Sequence, residues 1–154
     1  MAGLYVLCDK KYLRQGRGSA EQFVRDRFPR ELTESRSRGG ERVFLVVMVD
    51  GDAGGVRARK ASLWKACTEQ GVPPPRDSDN VLVCVPTWNI ETWLAYLAGD
   101  PVNESRKDYP RLTRPSDCVP MVKDLADMCR RLTLREPVPA SLENACTDYR
   151  AVFG

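Results

Sequence analysis

A chain of 154 residues with 24 Lys and Arg against 21 Asp and Glu, net charge +3, has the length of one domain, a size at which roughly 70% of the unfolded surface can be buried. It contains no histidine, which excludes Ser-His-Asp and Cys-His catalysis, zinc-protease motifs and histidine proton shuttles. Chemistry must therefore run on carboxylates, Lys, Arg, Tyr, Cys or Ser/Thr. No apolar stretch approaches the ~20 residues that span a bilayer. The basic residues of MAGLYVLCDKK follow its apolar ones, the reverse of a secretory signal. Six cysteines, none in a CxxC pair and most at apolar positions, read as buried free thiols of a cytoplasmic protein rather than as a disulfide framework or zinc site. Charge is uneven: residues 10–42 hold ten Lys and Arg against five acids, a basic third that either meets phosphates or is simply solvated.

In chain order, Leu4 to Cys8 reads as a short first strand and Lys10 to Gly18 as a basic loop. Ser19 opens a helix with Gln22 completing a capping box, and Phe23, Val24 and Phe28 supply its apolar side. Ser35 to Gly40 (SRSRGG) reads as a loop. RVFLVVMVD is the strongest element, a β-branched run that predicts a central strand buried on both faces. The tight DGDAGG turn follows, then a helix from about Val56 with Leu63, Ala66 and Cys67 inward and Gly71 at its end. PPPRDSDN leads into a second buried strand, VLVCV. A helix after Asn89 carries Ile90, Trp93, Leu94 and Leu97 on one face and stops at Gly99. Residues 100–117 read as a loop. Two helices close the chain, from about Pro120 to Leu132 and from about Ser141 to Val152.

Strand, helix, strand, helix over residues 42–98 predicts a parallel βαβ unit. Its strand ends share the sheet edge at which open α/β domains bind ligands. That edge would bring the Asp50–Asp52 loop and the Asn89–Glu91 loop together. Asp50 and Asp52, two carboxylates among glycines at the end of a buried strand, suit a hard cation such as Mg²⁺ or Mn²⁺, and Gly51, Gly54 and Gly55 leave room for a phosphate. Asp and Gly are also ordinary turn residues, Asp52 can cap the following helix, and glycosyltransferases and phosphatases use DxD as well. Glu91, in a first helical turn, is either a third acid or a helix-dipole partner with Asn89 as N-cap. Arg17 and Ser19 before a helix N-terminus suit an anion. Trp88 suits base stacking, and Lys107, Tyr109 and Lys123 suit phosphate contacts.

Taken together, VVMVDGD and VPTWNIETWLAYL resemble the TOPRIM-like proteins of the RloB and OLD-nuclease neighbourhood, many of them associated with bacterial phage defence. Asp50 and Asp52 match the acidic turn of that group, and Asn89, Glu91, Trp93 and Leu94 match its second segment. The resemblance covers about residues 42–98. It implies a single α/β domain over 1–154 with a Rossmann-like, mostly parallel sheet flanked by helices and a helical C-terminal segment. It also implies Mg²⁺-dependent (or Mn²⁺-dependent) cleavage of nucleic-acid phosphodiesters, with Asp50 and Asp52 binding metal and Glu91 beside them. The expected partners are nucleic acid, contacted by Arg17, Ser19, Trp88, Asn89 and Lys107, and a protein partner in a multi-subunit assembly. No membrane is expected. One departure stands out: where TOPRIM enzymes place a glutamate after the first strand, this chain has Cys8 and Asp9, and the helix and return strand that usually follow are missing. The same residues also fit a non-catalytic relative that binds a protein or a nucleic acid.

Overall fold

The computed structural model describes residues 3–8, 20–38, 43–111, 114 and 119–154. It is an α/β structure of two compact units, one drawn from Met1–Val49 and Arg57–Cys84 and the other from Asp50–Val56 and Val85–Gly154. Asp9, Arg17, Gly18 and Ser19 lie outside the described residues.

The first unit holds β1 (Gly3–Cys8), α1 (Ala20–Ser37), β2 (Val43–Met48), most of α2 (Gly55–Glu69) and β3 (Val81–Cys84). The strands form one parallel sheet in the order β1-β2-β3. Gly3 to Cys8 run opposite Val43 to Met48, and Leu45 to Met48 opposite Val81 to Cys84. The apolar run therefore becomes the central strand, as its composition predicts. Its two faces are not equal. Val43, Leu45, Val47 and Val49 are buried on one face, whereas on the other Phe44 is buried and Val46 and Met48 are half-buried.

Helix α1 buries Val24, Phe28, Pro29 and Leu32, and Phe28 stacks on Trp64 of α2 at 5.9 Å. It continues to Ser37, beyond the loop expected from Ser35. The cause is tertiary. Arg36 donates to both Asp79 oxygens at 3.0 and 2.7 Å and to the carbonyls of Pro73 and Pro74, so the last turn is tied to the segment before β3. Those bonds hold the Asp79 carboxyl below the usual carboxylate range. Burial pushes the Cys67 thiol up, which keeps it protonated and unreactive. Leu63, Ala66 and Cys67 are the buried residues of α2, as its periodicity predicts.

The second unit holds α3 (Glu91–Leu97), α4 (Val119–Arg131) and α5 (Ala140–Phe153). Helix α3 buries Thr92, Trp93, Ala95 and Tyr96, while Ile90, Leu94 and Leu97 are half-buried. The inward face is thus rotated from the one the spacing of the large apolar residues predicts, because the Trp93 and Tyr96 donors find partners inside. Gly99 ends the helix at φ +100°, with its own N–H bonded to Tyr96 O and that of Asp100 to Ala95 O. Arg135 caps the same end, donating to the carbonyls of Tyr96, Gly99 and Asp100. Cys129 of α4 and Cys146 of α5 form a disulfide with Cα atoms 5.0 Å apart, which corrects the reading of six free thiols. Both residues lie on the apolar faces of their helices, so burial spacing alone could not distinguish a bonded pair from two packed thiols. Cys67 and Cys84 are buried. No helix among the described residues is long and apolar enough to cross a membrane.

Candidate metal and nucleic-acid site

The chain leaves β2 at Val49 and β3 at Cys84, and the residues that follow both strands belong to the second unit. There the two loops are joined: the Gly51 N–H donates to Pro86 O at 2.8 Å, and the Gly55 N–H to Gly51 O at 3.0 Å. Gly51 is buried, and a Cβ on it would meet Pro86 O at 3.0 Å and Val85 Cγ1 at 3.1 Å. The DGD turn therefore needs its central glycine for close approach to the other loop. Asp50 is half-buried on one side of it; Asp52 is exposed on the other, at φ +47°, a conformation Asp tolerates better than most residues.

The second loop reads Pro86–Thr87–Trp88–Asn89–Ile90 and enters α3 at Glu91. Asn89 does not cap that helix; the capping position is Ile90, without a side-chain bond. The Asn89 amide nitrogen donates instead to Lys107 O at 3.4 Å, and its buried Oδ1 has no hydrogen-bond partner among the described residues. Glu91 is the first helical residue and is half-buried. Trp88 sits at φ +64°, donates from Nε1 to Glu104 O at 2.9 Å, and has Lys107 Nζ 5.3 Å from its ring centre. The structure thus brings Trp88, Asn89 and Lys107 together, a meeting that nothing in the sequence predicted. Arg17 and Ser19 lie outside the described residues. Tyr109 is buried, its hydroxyl accepting from the Asn103 N–H at 2.6 Å, so it braces its loop instead of facing a phosphate. Lys123 is an exposed residue of α4.

Among the described residues, no group of three or more His, Cys, Asp or Glu is placed to hold a metal ion. Asp50, Asp52 and Glu91 do not form a three-carboxylate cluster. A two-carboxylate site remains chemically suitable, since Mg²⁺ commonly uses one or two carboxylates and completes its octahedron with waters and substrate phosphate. The donors here are all hard oxygens. The buried Asn89 Oδ1, which lacks a hydrogen-bond donor, is an additional one in the adjoining loop.

Sequence reasoning missed a second polar cluster behind this corner. Buried Ser141, at the start of α5, accepts from Trp93 Nε1 at 2.9 Å and from the Thr87 N–H at 3.3 Å, and its hydroxyl donates to Glu104. The Glu104 carboxylate also accepts the Ser141 N–H at 3.2 and 3.3 Å, which places a negative charge at a helix N-terminus. Glu104 thus anchors Trp88 through its carbonyl and α5 through its side chain. Glu104 and Ser141 are 37 residues apart and share no local pattern, so only an [ST]-at-helix-start signal hinted at Ser141. Burial also pushes the nearby Tyr96 hydroxyl up. Comparison with protein-family models, curated proteins and solved structures found no match.

Proposed function

We propose that this chain is a TOPRIM-like, Mg²⁺-dependent nucleic-acid phosphodiesterase whose first unit is one half of a Rossmann-like sheet. The single observation that carries this reading is the bonded pair of loops, in which Gly51 N–H to Pro86 O joins the Asp50–Asp52 turn to the turn bearing Asn89 and Glu91. The parallel order β1-β2-β3 supports it, because such sheets bind ligands beyond the C-terminal ends of their strands. Asp50 and Asp52 would hold the ion, which would supply charge neutralisation at the phosphoryl group and an activated water. Trp88, Asn89 and Lys107 would orient the strand beside it, and Glu91 would take up a proton at its carboxylate. The phage-defence setting of the proteins it resembles makes a subunit of such a system the natural context.

A second reading, a non-catalytic subunit that binds nucleic acid or a protein partner, draws support from the absence of a three-acid cluster among the described residues. Cleavage of labelled single- and double-stranded DNA and RNA with Mg²⁺, Mn²⁺ or EDTA separates the two. Metal-dependent cutting that falls at least a hundredfold in Asp50→Ala/Asp52→Ala is expected of the enzyme, on the order of the loss seen when charge stabilisation of a transition state is removed. A folded wild type that cuts no substrate sinks the nuclease reading and leaves the binding one.

A further inference from the structure

We infer that the corner formed by Trp88, Asn89 and Lys107 is a stacking platform for an unpaired base, so that the nucleic acid this protein takes is single-stranded. The inference rests on the nucleic-acid reading above and names its substrate class. Trp88 carries the argument. A bulky residue at φ +64° is a genuine backbone outlier, and such strain persists where surrounding structure imposes it, most often at functional sites. The imposing structure is visible: the indole N–H is fixed to Glu104 O at 2.9 Å, and Glu104 is itself fixed to Ser141 on α5. The ring is therefore held in one orientation while remaining half-buried rather than enclosed.

The charge around it fits a phosphate backbone. Residues 106–114, RKDYPRLTR, hold four cations and one carboxylate, Asp108, which pairs with Arg106. Lys107 lies against the Trp88 ring with its ammonium 5.3 Å from the ring centre, and among the described residues neither Lys107 nor Arg111 pairs with a carboxylate. A base that stacks on this ring displaces the Lys107 ammonium from over it to the adjoining phosphate, the arrangement by which proteins hold single strands, the base on the ring and the phosphate on the cation. A duplex keeps its bases stacked on one another and offers this ring nothing. Asn89 fixes the spacing, its amide nitrogen bonded to the Lys107 carbonyl.

The test is equilibrium binding, in EDTA, of fluorescently labelled single-stranded DNA, single-stranded RNA and the corresponding duplex to the full chain, with folding checked by circular dichroism. Wild type is expected to prefer a single strand, DNA or RNA. Trp88→Ala should weaken that binding about tenfold, the loss of one base stack. Trp88→Phe, which keeps a ring but loses the N–H anchor, should stay within about threefold of wild type, whereas a merely structural indole would make Phe fail as Ala does. Lys107→Gln should lower the slope of log affinity against log salt by about 0.7, one phosphate contact on a single strand. Trp88→Ala binding as tightly as wild type, Phe falling as far as Ala, or no single-strand binding by wild type would each overturn the inference. Because EDTA removes the metal, absent cleavage with retained binding sinks only the nuclease reading, and metal-dependent cleavage indifferent to Trp88 sinks only this one.

Discussion

The two units bury different kinds of side chain. Among the described residues of the sheet unit the interior is apolar, from Val24, Phe28 and Leu32 on α1 to Leu45 and Val47 on β2, and its principal polar element is the Arg36–Asp79 pair at its margin. The second unit buries Thr92 and Ser141, leaves Asn89 Oδ1 and Thr92 Oγ1 without hydrogen-bond partners among the described residues, and anchors two indoles in one polar network. Backbone strain divides in the same way. Among the described residues, Asn80, a residue that tolerates φ > 0, is the first unit's case among non-glycine residues, whereas Asp52, Trp88 and Leu132 all lie in the second. A region built for stability satisfies its groups locally. Unsatisfied polar groups and strained bulky residues are more often found at functional sites than in regions built for stability.

Three measurements sharpen or break that contrast. The largest effect is expected at Asp79, whose removal by Asp79→Ala strands the Arg36 guanidinium and should cost about 3 kcal/mol in urea denaturation. Since the folded Asp79 carboxyl is held below its ordinary value, the pair's contribution is complete above about pH 5 and is lost as pH falls through the folded titration, below about pH 4. A wild-type stability curve that is flat on acidification while Asp79→Ala is equally flat would remove the pair from the account. Next is Ser141→Ala, which leaves the Trp93 indole, the Thr87 N–H and the Glu104 carboxylate each short of a partner and should cost about 2 kcal/mol. A loss below about 0.5 kcal/mol would show that the second unit's network is surface-like and the contrast mistaken. The smallest is a gain. Leu132 ends α4 at φ +57° in the position that glycine takes after α3, with the Thr133 N–H bonded back to Met128 O, and its side chain is 70% exposed. Leu132→Gly should stabilise by about 1 kcal/mol, measured as a raised urea midpoint. No gain there would place a contact on that leucine and make its exposure informative.

How far the sequence reached follows from the range of each signal. The central strand at 43–48, the inward face of α2 and the stops at Gly71 and Gly99 come from period, β-branching and turn chemistry within a few residues, and all were legible. The meeting of the acidic turn with the Asn89 turn was legible too, because parallel strands must send their following loops the same way. The inward face of α3 was not, since Thr92 and Tyr96 are buried through bonds and packing supplied from elsewhere in the chain. Nor was the length of α1, which Asp79 extends from 43 residues away, nor the Cys129–Cys146 bond, because cysteine spacing carries no record of which helices pair.

By itself, then, the sequence determined an α/β chain with an all-apolar central strand, an acidic glycine turn after it and chemistry limited to groups other than histidine. These follow from composition and local stereochemistry, which act over distances the chain cannot rearrange. The tertiary structure alone decided that Glu104 and Ser141 would anchor Trp88 and α5, that Asn89 would keep an acceptor without a donor, and that Lys107 would lie on an indole 19 residues earlier. Each of those is a pairing of polar groups distant in sequence, whose energy depends on geometry and desolvation that no local pattern encodes.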